Sequence, residues 1–432
     1  MILADSYART RARAAPLAVS LALVCGAFAF PSAGQTAPEV AWTATTVVAM
    51  AREHRPEILA ARARTRAAWS RPRIVSSLND PMVMASIDHL PFRFNVPEYG
   101  ANFSVMLQQE FPLSNVLGLR GRAAEAGALR VESDTQRIVL DVEYEAIQAF
   151  FMVSERRRTR SVLDAQLRIS EEIVTLAMAR YAAGQGAQAD VLRAQLDVTR
   201  LRAERAGLDG QVRAAEAMLN AAVGRDATAI VPALRPPDGS SEPPSERDVA
   251  TQALAHRPEI TTMRLSVAQA RAEVRVMEAM FWPMMFIRTG FAYAMPEGAG
   301  AMLMVGISIP VYRGRLNGGV DEARAMIRMA DADVEAMRNM VRGEAVAARA
   351  QLVGARARLD SIRREVLPLA EQTITASLAS YAAGQIPLVA VVDAVRGLWM
   401  SRQDEVMTDV NVGLAQARLD RALGAFEDGA RR

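Results

Sequence analysis

The sequence predicts a mainly helical, internally duplicated chain whose four short strands join a transmembrane β-barrel shared by several copies. Three observations carry that prediction. Motifs recur about 200 positions apart in the same order, and long Ala-, Arg- and Leu-rich runs lie between them. Four segments of about ten residues alternate apolar and polar side chains, the pattern of a barrel strand with lipid on one side and water on the other.

Residues 1–34 read as an export signal. Arg9, Arg11 and Arg13 precede the apolar run Ala14–Phe30, and small residues follow it. That run is short and flanked by proline, which disfavours a permanent membrane helix, and no later stretch is long enough to span as a helix. Cys25 is the only cysteine, so the chain has no internal disulfide. Its setting, Ala22-Leu23-Val24-Cys25, resembles a bacterial lipoprotein cleavage box in which Cys25 becomes the acylated first residue. Bulky Val24 favours ordinary cleavage instead.

The remainder is written twice, as repeats 35–223 and 248–428 around a Pro/Ser-rich linker, 224–247. HRPEI at His54–Ile58 returns at His256–Ile260, and YAAGQ at Tyr181–Gln185 returns at Tyr381–Gln385. Phe111-Pro112-Leu113 answers to Ile309-Pro310-Val311. Each repeat opens with a helix at the Arg-Pro-Glu step, where Pro suits the first helical position and Glu the positive end of the helix dipole. These helices are expected to reach about Trp69 and Phe281. Strand pairs follow at 82–111 and 285–311. Long helices then cover Leu119–Arg180 and Val320–Ser380, about 60 residues or about 90 Å each. Tips at 181–190 and 381–393 turn the chain into return helices of about 35 residues. Gly184 and Gly384 end the outgoing helices, where a left-handed residue is cheapest. Leu163, Leu167, Val174 and Tyr181, and likewise Leu201, Leu208, Ala215 and Ala222, repeat at coiled-coil spacing.

In Asn102–Phe111, Phe103, Val105, Leu107, Gln109 and Phe111 share one face; Asn102, Ser104, Met106, Gln108 and Glu110 share the other. In Ala301–Val311 the apolar face holds Leu303, Val305, Ile307, Ile309 and Val311, against Met302, Met304 and Ser308. The second set is expected to face the lumen. Four strands cannot close on themselves, and an open edge in lipid leaves unpaired backbone groups costing several kcal/mol each. The smallest closed barrels have about eight strands, so copies must pool theirs, and three give about twelve. The long helices then continue the barrel axis as a tube.

The doubled pattern, with Tyr181-Ala-Ala-Gly184 followed by Asp190-Val191-Leu192 and Tyr381-Ala-Ala-Gly384 followed by Val391-Val392-Asp393, resembles the TolC-like outer-membrane efflux channel family. The resemblance spans roughly residues 40–428. It implies a homotrimer in outer-membrane lipid, a periplasmic helical tunnel, and tips that meet a periplasmic adaptor and an inner-membrane pump. Tyr181, Gly184, Gln185, Tyr381, Gly384 and Gln385 would make the adaptor contacts. Asp393 matches the later of two acidic positions lining the narrowed entrance, while the earlier falls at Ala390. Asp190 is a gate candidate too, with helix capping or a contact between hairpins as the other readings. Asp80-Pro81-Met82, Gln109–Pro112 and Gly118-Leu119-Arg120 resemble the heavy-metal branch. With 22 methionines in the chain, whose thioethers suit copper or silver, a heavy-metal cargo is expected; gap-filling in apolar packing is the bland alternative. A drug or type I secretion duct of the same architecture stays open, as does a soluble periplasmic coiled-coil scaffold or adaptor.

Other functions have no apparatus. A net charge of +3 with acids and bases interspersed gives nucleic acid no basic stripe. No phosphate-binding loop, nucleophile elbow or HExxH is present, so neither an enzyme nor a cofactor is expected. His54, His89 and His256 stand apart from one another, and Arg156–Arg160 reads as a solvated helical face.

Overall fold

The computed structural model describes residues 41–88, 102–237, 242–294 and 298–424. The expected signal and Cys25 lie outside these, as does His89. The first repeat forms α1 (Ala44–His54), α2 (Pro56–Ser76), β1 (Met82–Asp88), β2 (Asn102–Pro112), α3 (Val116–Ala182) and α4 (Gln188–Ala222). The second forms α5 (Glu246–His256), α6 (Pro258–Ala279), β3 (Met284–Ala294), β4 (Gly298–Ser308), α7 (Arg313–Ser361), α8 (Leu367–Ala382) and α9 (Leu388–Leu423).

Pro56 and Pro258 open α2 and α6 as expected, but a helix precedes each. Thr43 Oγ1 accepts from the Thr46 amide at 3.2 Å and Ser245 Oγ from the Asp248 amide at 3.2 Å, the hydroxyl caps that start α1 and α5. The linker therefore ends before Glu246. Its earlier part is strapped to the first repeat: Trp42 donates to Ala233 O, and Arg235 to Trp42 O, both at 2.8 Å. α2 runs through Pro72 to Ser76, past the expected end at Trp69, whereas α6 stops at Ala279.

The long helices differ from each other. α3 is continuous over 67 residues, about 100 Å. The second is broken: Ile362–Val366 form a π turn between α7 and α8, which adds one residue to the helical screw. Arg363 in that turn donates to Glu405 at 3.1 Å and Asp409 at 2.9 Å on α9.

The strands make one antiparallel sheet in the order β1-β2-β3-β4. Val105 lies opposite Ala85 and Phe291, and Leu107 opposite Val83 and Thr289, so one face is apolar almost throughout. The register puts Met106, Gln108, Glu110, Met302, Met304 and Ser308 together on the other face. Ser308 ends β4, so Ile309 and Val311 are not strand residues as expected. Among the described residues β1 and β4 each keep one edge without a partner strand.

The helices pack side by side. Val47, Ala51 and Ile58 of α1 and α2 meet Phe150 and Phe151 of α3, Leu219 of α4 and Val410 of α9 in the largest core. The two phenylalanines meet edge to face at 5.4 Å. The ring of Phe151 occupies the space a side chain at Gly413 would need, so α9 passes close against α3 only with glycine there.

Arginines tie the helices together. Arg157 bonds Glu216 as well as the carbonyls of Val231 and Pro232, and Arg158 bonds Asp409, so the Arg156–Arg160 cluster fastens α3 to its neighbours rather than merely facing solvent. Arg257 holds Glu259 through two bonds of 3.0 and 2.7 Å, and Arg421 adds a third contact. Burial opposes charge on Glu259, but these cations outweigh it and hold its pKa below the ordinary carboxylate value. Such a depressed group stabilises the fold above its unfolded pKa and loses that contribution as pH falls through its folded pKa. Glu259→Gln removes one of the two counter-charges of buried Arg257, leaving it Glu344 at 2.6 Å, and is expected to cost about 2 kcal/mol at neutral pH. Thermal unfolding should show that deficit shrinking as pH drops below the carboxylate range.

Candidate functional site at the hairpin tips

The two tips share one backbone design. At the first, the Gly184 amide donates to Tyr181 O at 3.0 Å and the Gln185 amide to Arg180 O at 2.9 Å. At the second, Gly384 donates to Tyr381 O and Gln385 to Ser380 O at the same distances. Both glycines are left-handed, with φ of 73° and 77°, a conformation that penalises any Cβ. Duplicated sequence has become duplicated cap.

Their side chains differ. Tyr181 is 49% exposed, whereas Tyr381 is 3% exposed and packs among Ile173, Leu388, Val391 and Trp399. Arg180, reaching from the first hairpin, explains the contrast. Its guanidinium lies 4.5 Å from the centre of the Tyr381 ring, donates to Tyr381 O, and donates to Gln185 O at 3.1 Å. The equivalent residue in the second repeat is Ser380, too short to make a similar grip. Burial raises the pKa of the Tyr381 hydroxyl; Arg180 opposes this, and the negative charge of Asp190 adds to it. Asp190 is thus a neighbour of the second tip. It is not a cap: the N-cap of α4 is Ala187, and Asp190 lies within the first turn.

Asp393 projects from α9 with its side chain 67% exposed, and its carboxylate is 3.9 Å from Arg396 one turn on. Arg396 also donates to Asp197 on α4 at 2.8 Å, a second tie between hairpins. Asp197, Arg396 and Trp399 line a cavity of about 700 Å³ bounded by α3, α4 and α9. Arg180, Asp197 and Trp399 escaped the sequence reading. The available signal was the mismatch Arg180/Ser380 beside an otherwise repeated motif.

The remaining candidates are scattered. His54 and His256 each bond a carbonyl four residues back, at 3.0 and 3.1 Å. Among the described residues no cluster of three or more His, Cys, Asp or Glu is placed to hold a metal, and no helix is long and apolar enough to cross a membrane.

Two tandem hairpins carrying paired glycine caps, joined to a sheet with one apolar face, set the frame for comparison. The sequence profile of the family described as outer membrane efflux protein matches residues 47–225 and 249–425. The chain belongs to that family. It is 22% identical over 335 residues to the outer membrane efflux protein BepC of Brucella suis biovar 1 (strain 1330), covering 76% of this chain and 70% of that one. Its fold is similar to that of CusC, with a TM-score of 0.78 and 17% identity over 90% of this chain and 93% of that one. VceC of Vibrio cholerae superposes with a TM-score of 0.74 and 19% identity, over 88% and 96% of the chains. The open-state MtrE channel of Neisseria gonorrhoeae gives 0.74 and 16%, over 88% and 89%. This outer membrane efflux protein accordingly resides in the outer membrane with a periplasmic helical extension, and its work is transport, not catalysis. The solved structures whose fold it shares include outer-membrane channels.

Arg180→Met keeps the stem but removes the bonds to both tips. Losing these charge-assisted bonds, about 1.4 kcal/mol, should speed amide hydrogen exchange at residues 381–385 about tenfold. Exchange in the sheet should not change.

Proposed function

We propose that this outer membrane efflux protein is the exit duct of a tripartite efflux system, conducting passively what an inner-membrane pump delivers through an adaptor. The carrying observation is the sheet: one nearly continuous apolar face, one mixed polar face, and a free edge at each end. Three copies joined edge to edge make a closed barrel of about twelve strands, leaving no backbone group unpaired in lipid. A soluble scaffold has no use for such a sheet.

The tips are the periplasmic entrance in this reading. Tyr181, Gly184, Gln185, Tyr381, Gly384 and Gln385 are the adaptor contacts, and Asp393, supported by Asp190, lines the constriction. The exposure of Asp393, whose neighbouring cation Arg396 lies on its own helix, fits that role. Three such carboxylates around an axis attract cations and raise one another's pKa. The proposed cargo is heavy-metal ions such as copper or silver; a drug or polypeptide duct would use the same architecture.

Three sets of experiments test this. Purified membranes should retain the chain through carbonate washing, and cross-linking should trap a trimer; a monomer washed free would end the duct reading. Asp393→Ala should leave that trimer intact yet lower cation preference in planar bilayers, and unchanged selectivity would remove Asp393 from the constriction. A deletion strain challenged with copper, silver, zinc and hydrophobic drugs reports the cargo.

A further inference from the structure

The two faces of the sheet draw on different apolar residues. The outer face uses Val83, Ile87, Phe103, Val105, Phe291 and Val305, the β-branched and aromatic side chains that strands favour. The other face takes its apolar bulk chiefly as methionine. Met82, Met84, Met106, Met284, Met302 and Met304 all fall there, and of the strand methionines only Met285 falls on the outer side. Were apolarity alone required, valine or leucine would serve equally. What methionine adds is a soft sulfur donor in a wet lining.

Register gathers these sulfurs. Met84 and Met106 are direct partners across β1 and β2, so their Cβ atoms lie about 5 Å apart. Met302 shares their row on β4, with only Gly290 of β3 between. A Cβ at position 290 would collide with the Val105 backbone, so that gap cannot be filled. Met82 and Met304 occupy the next row along with Gln108 and Arg288. Cyclic copies can join their sheets only β4 to β1, which brings Met302 and Met304 of one copy to the edge carrying Met82 and Met84 of the next.

We propose that these rows form a thioether-lined transit surface for soft monovalent metal ions, copper(I) or silver(I), repeated at each seam of the barrel. The proposal rests on the duct reading above. Neutral thioethers bind soft ions and ignore hard ones. Arg288, tied to Gln108 Oε1 at 3.1 and 2.7 Å, holds a positive charge in the adjoining row. Its repulsion doubles for a divalent ion, which favours monovalent passage. It also keeps residence short, as conduction requires sites weak enough to leave.

The test is silver binding by equilibrium dialysis, in chloride-free buffer, on the purified full-length protein. One variant carries Met84→Leu, Met106→Leu, Met302→Leu and Met304→Leu, which conserve volume and apolarity. A control carries Met326→Leu, Met329→Leu and Met400→Leu, exposed methionines on α7 and α9. The barrel variant should bind silver about tenfold more weakly or worse, and the control should match the parent. Equal loss in both, or none in either, overturns the proposal. Potassium conductance in planar bilayers is read alongside: parent and barrel variant should both conduct. A parent that conducts nothing overturns the duct reading itself, and with it the transit surface.

Discussion

A β-strand in lipid cannot end beside hydrocarbon with its amides and carbonyls unpaired. The four-stranded sheet here has two such edges and a face made for lipid, so its chemistry is complete only when other copies extend it. That requirement governs the rest of the molecule. A shared barrel fixes an axis, and helices leaving its rim must run beside their symmetry mates. A helix of about 100 Å makes sense as one stave of a tube, whereas it would be far too long for the core of a globular domain.

The helical part solves a different problem. Long rods packed side by side bury only narrow stripes, so apolar packing is spread thin along them. The chain supplements it with arginine. Arg157, Arg257, Arg363, Arg396 and Arg421 each bind groups on another segment of the chain. A planar guanidinium that cannot lose its charge suits these half-buried cross-ties better than an ammonium group does. The chain contains no lysine, and these cross-ties give its use of arginine a structural reason.

The duplicated architecture was legible because glycine, proline and alternating hydrophobicity act locally. Pro56, Gly184 and the Phe103–Phe111 alternation each impose their backbone state whatever surrounds them. What escaped was set by distant partners. The caps at Thr43 and Ser245 were readable in principle, but α1 and α5 are short, and the Pro steps after them drew the helix starts too far downstream. The π turn at Ile362–Val366 lies just ahead of Pro368, whose ring and missing N–H disturb the helix at Arg364, a signal the sequence reading passed over. The burial of Tyr381 beside the exposure of Tyr181 depends on Arg180 crossing between hairpins, a contact that no repeat of five letters encodes. Ile309 and Val311 continue the strand alternation in sequence, yet β4 ends before them, since apolar periodicity does not mark where pairing stops.

The π turn leaves a lasting mark on the chain's internal symmetry. One additional residue rotates everything beyond it by about 100° relative to an unbroken rod. The second rod carries more chain between equivalent anchors, Pro310 to Tyr381 against Pro112 to Tyr181, so the π turn takes up an inserted residue that would otherwise turn the tip-side positions away from their counterparts in the twin rod. The two staves are unequal, with 67 residues in α3 against a longer run from Arg313 to Ala382, and the π turn lets the longer one fit beside the shorter.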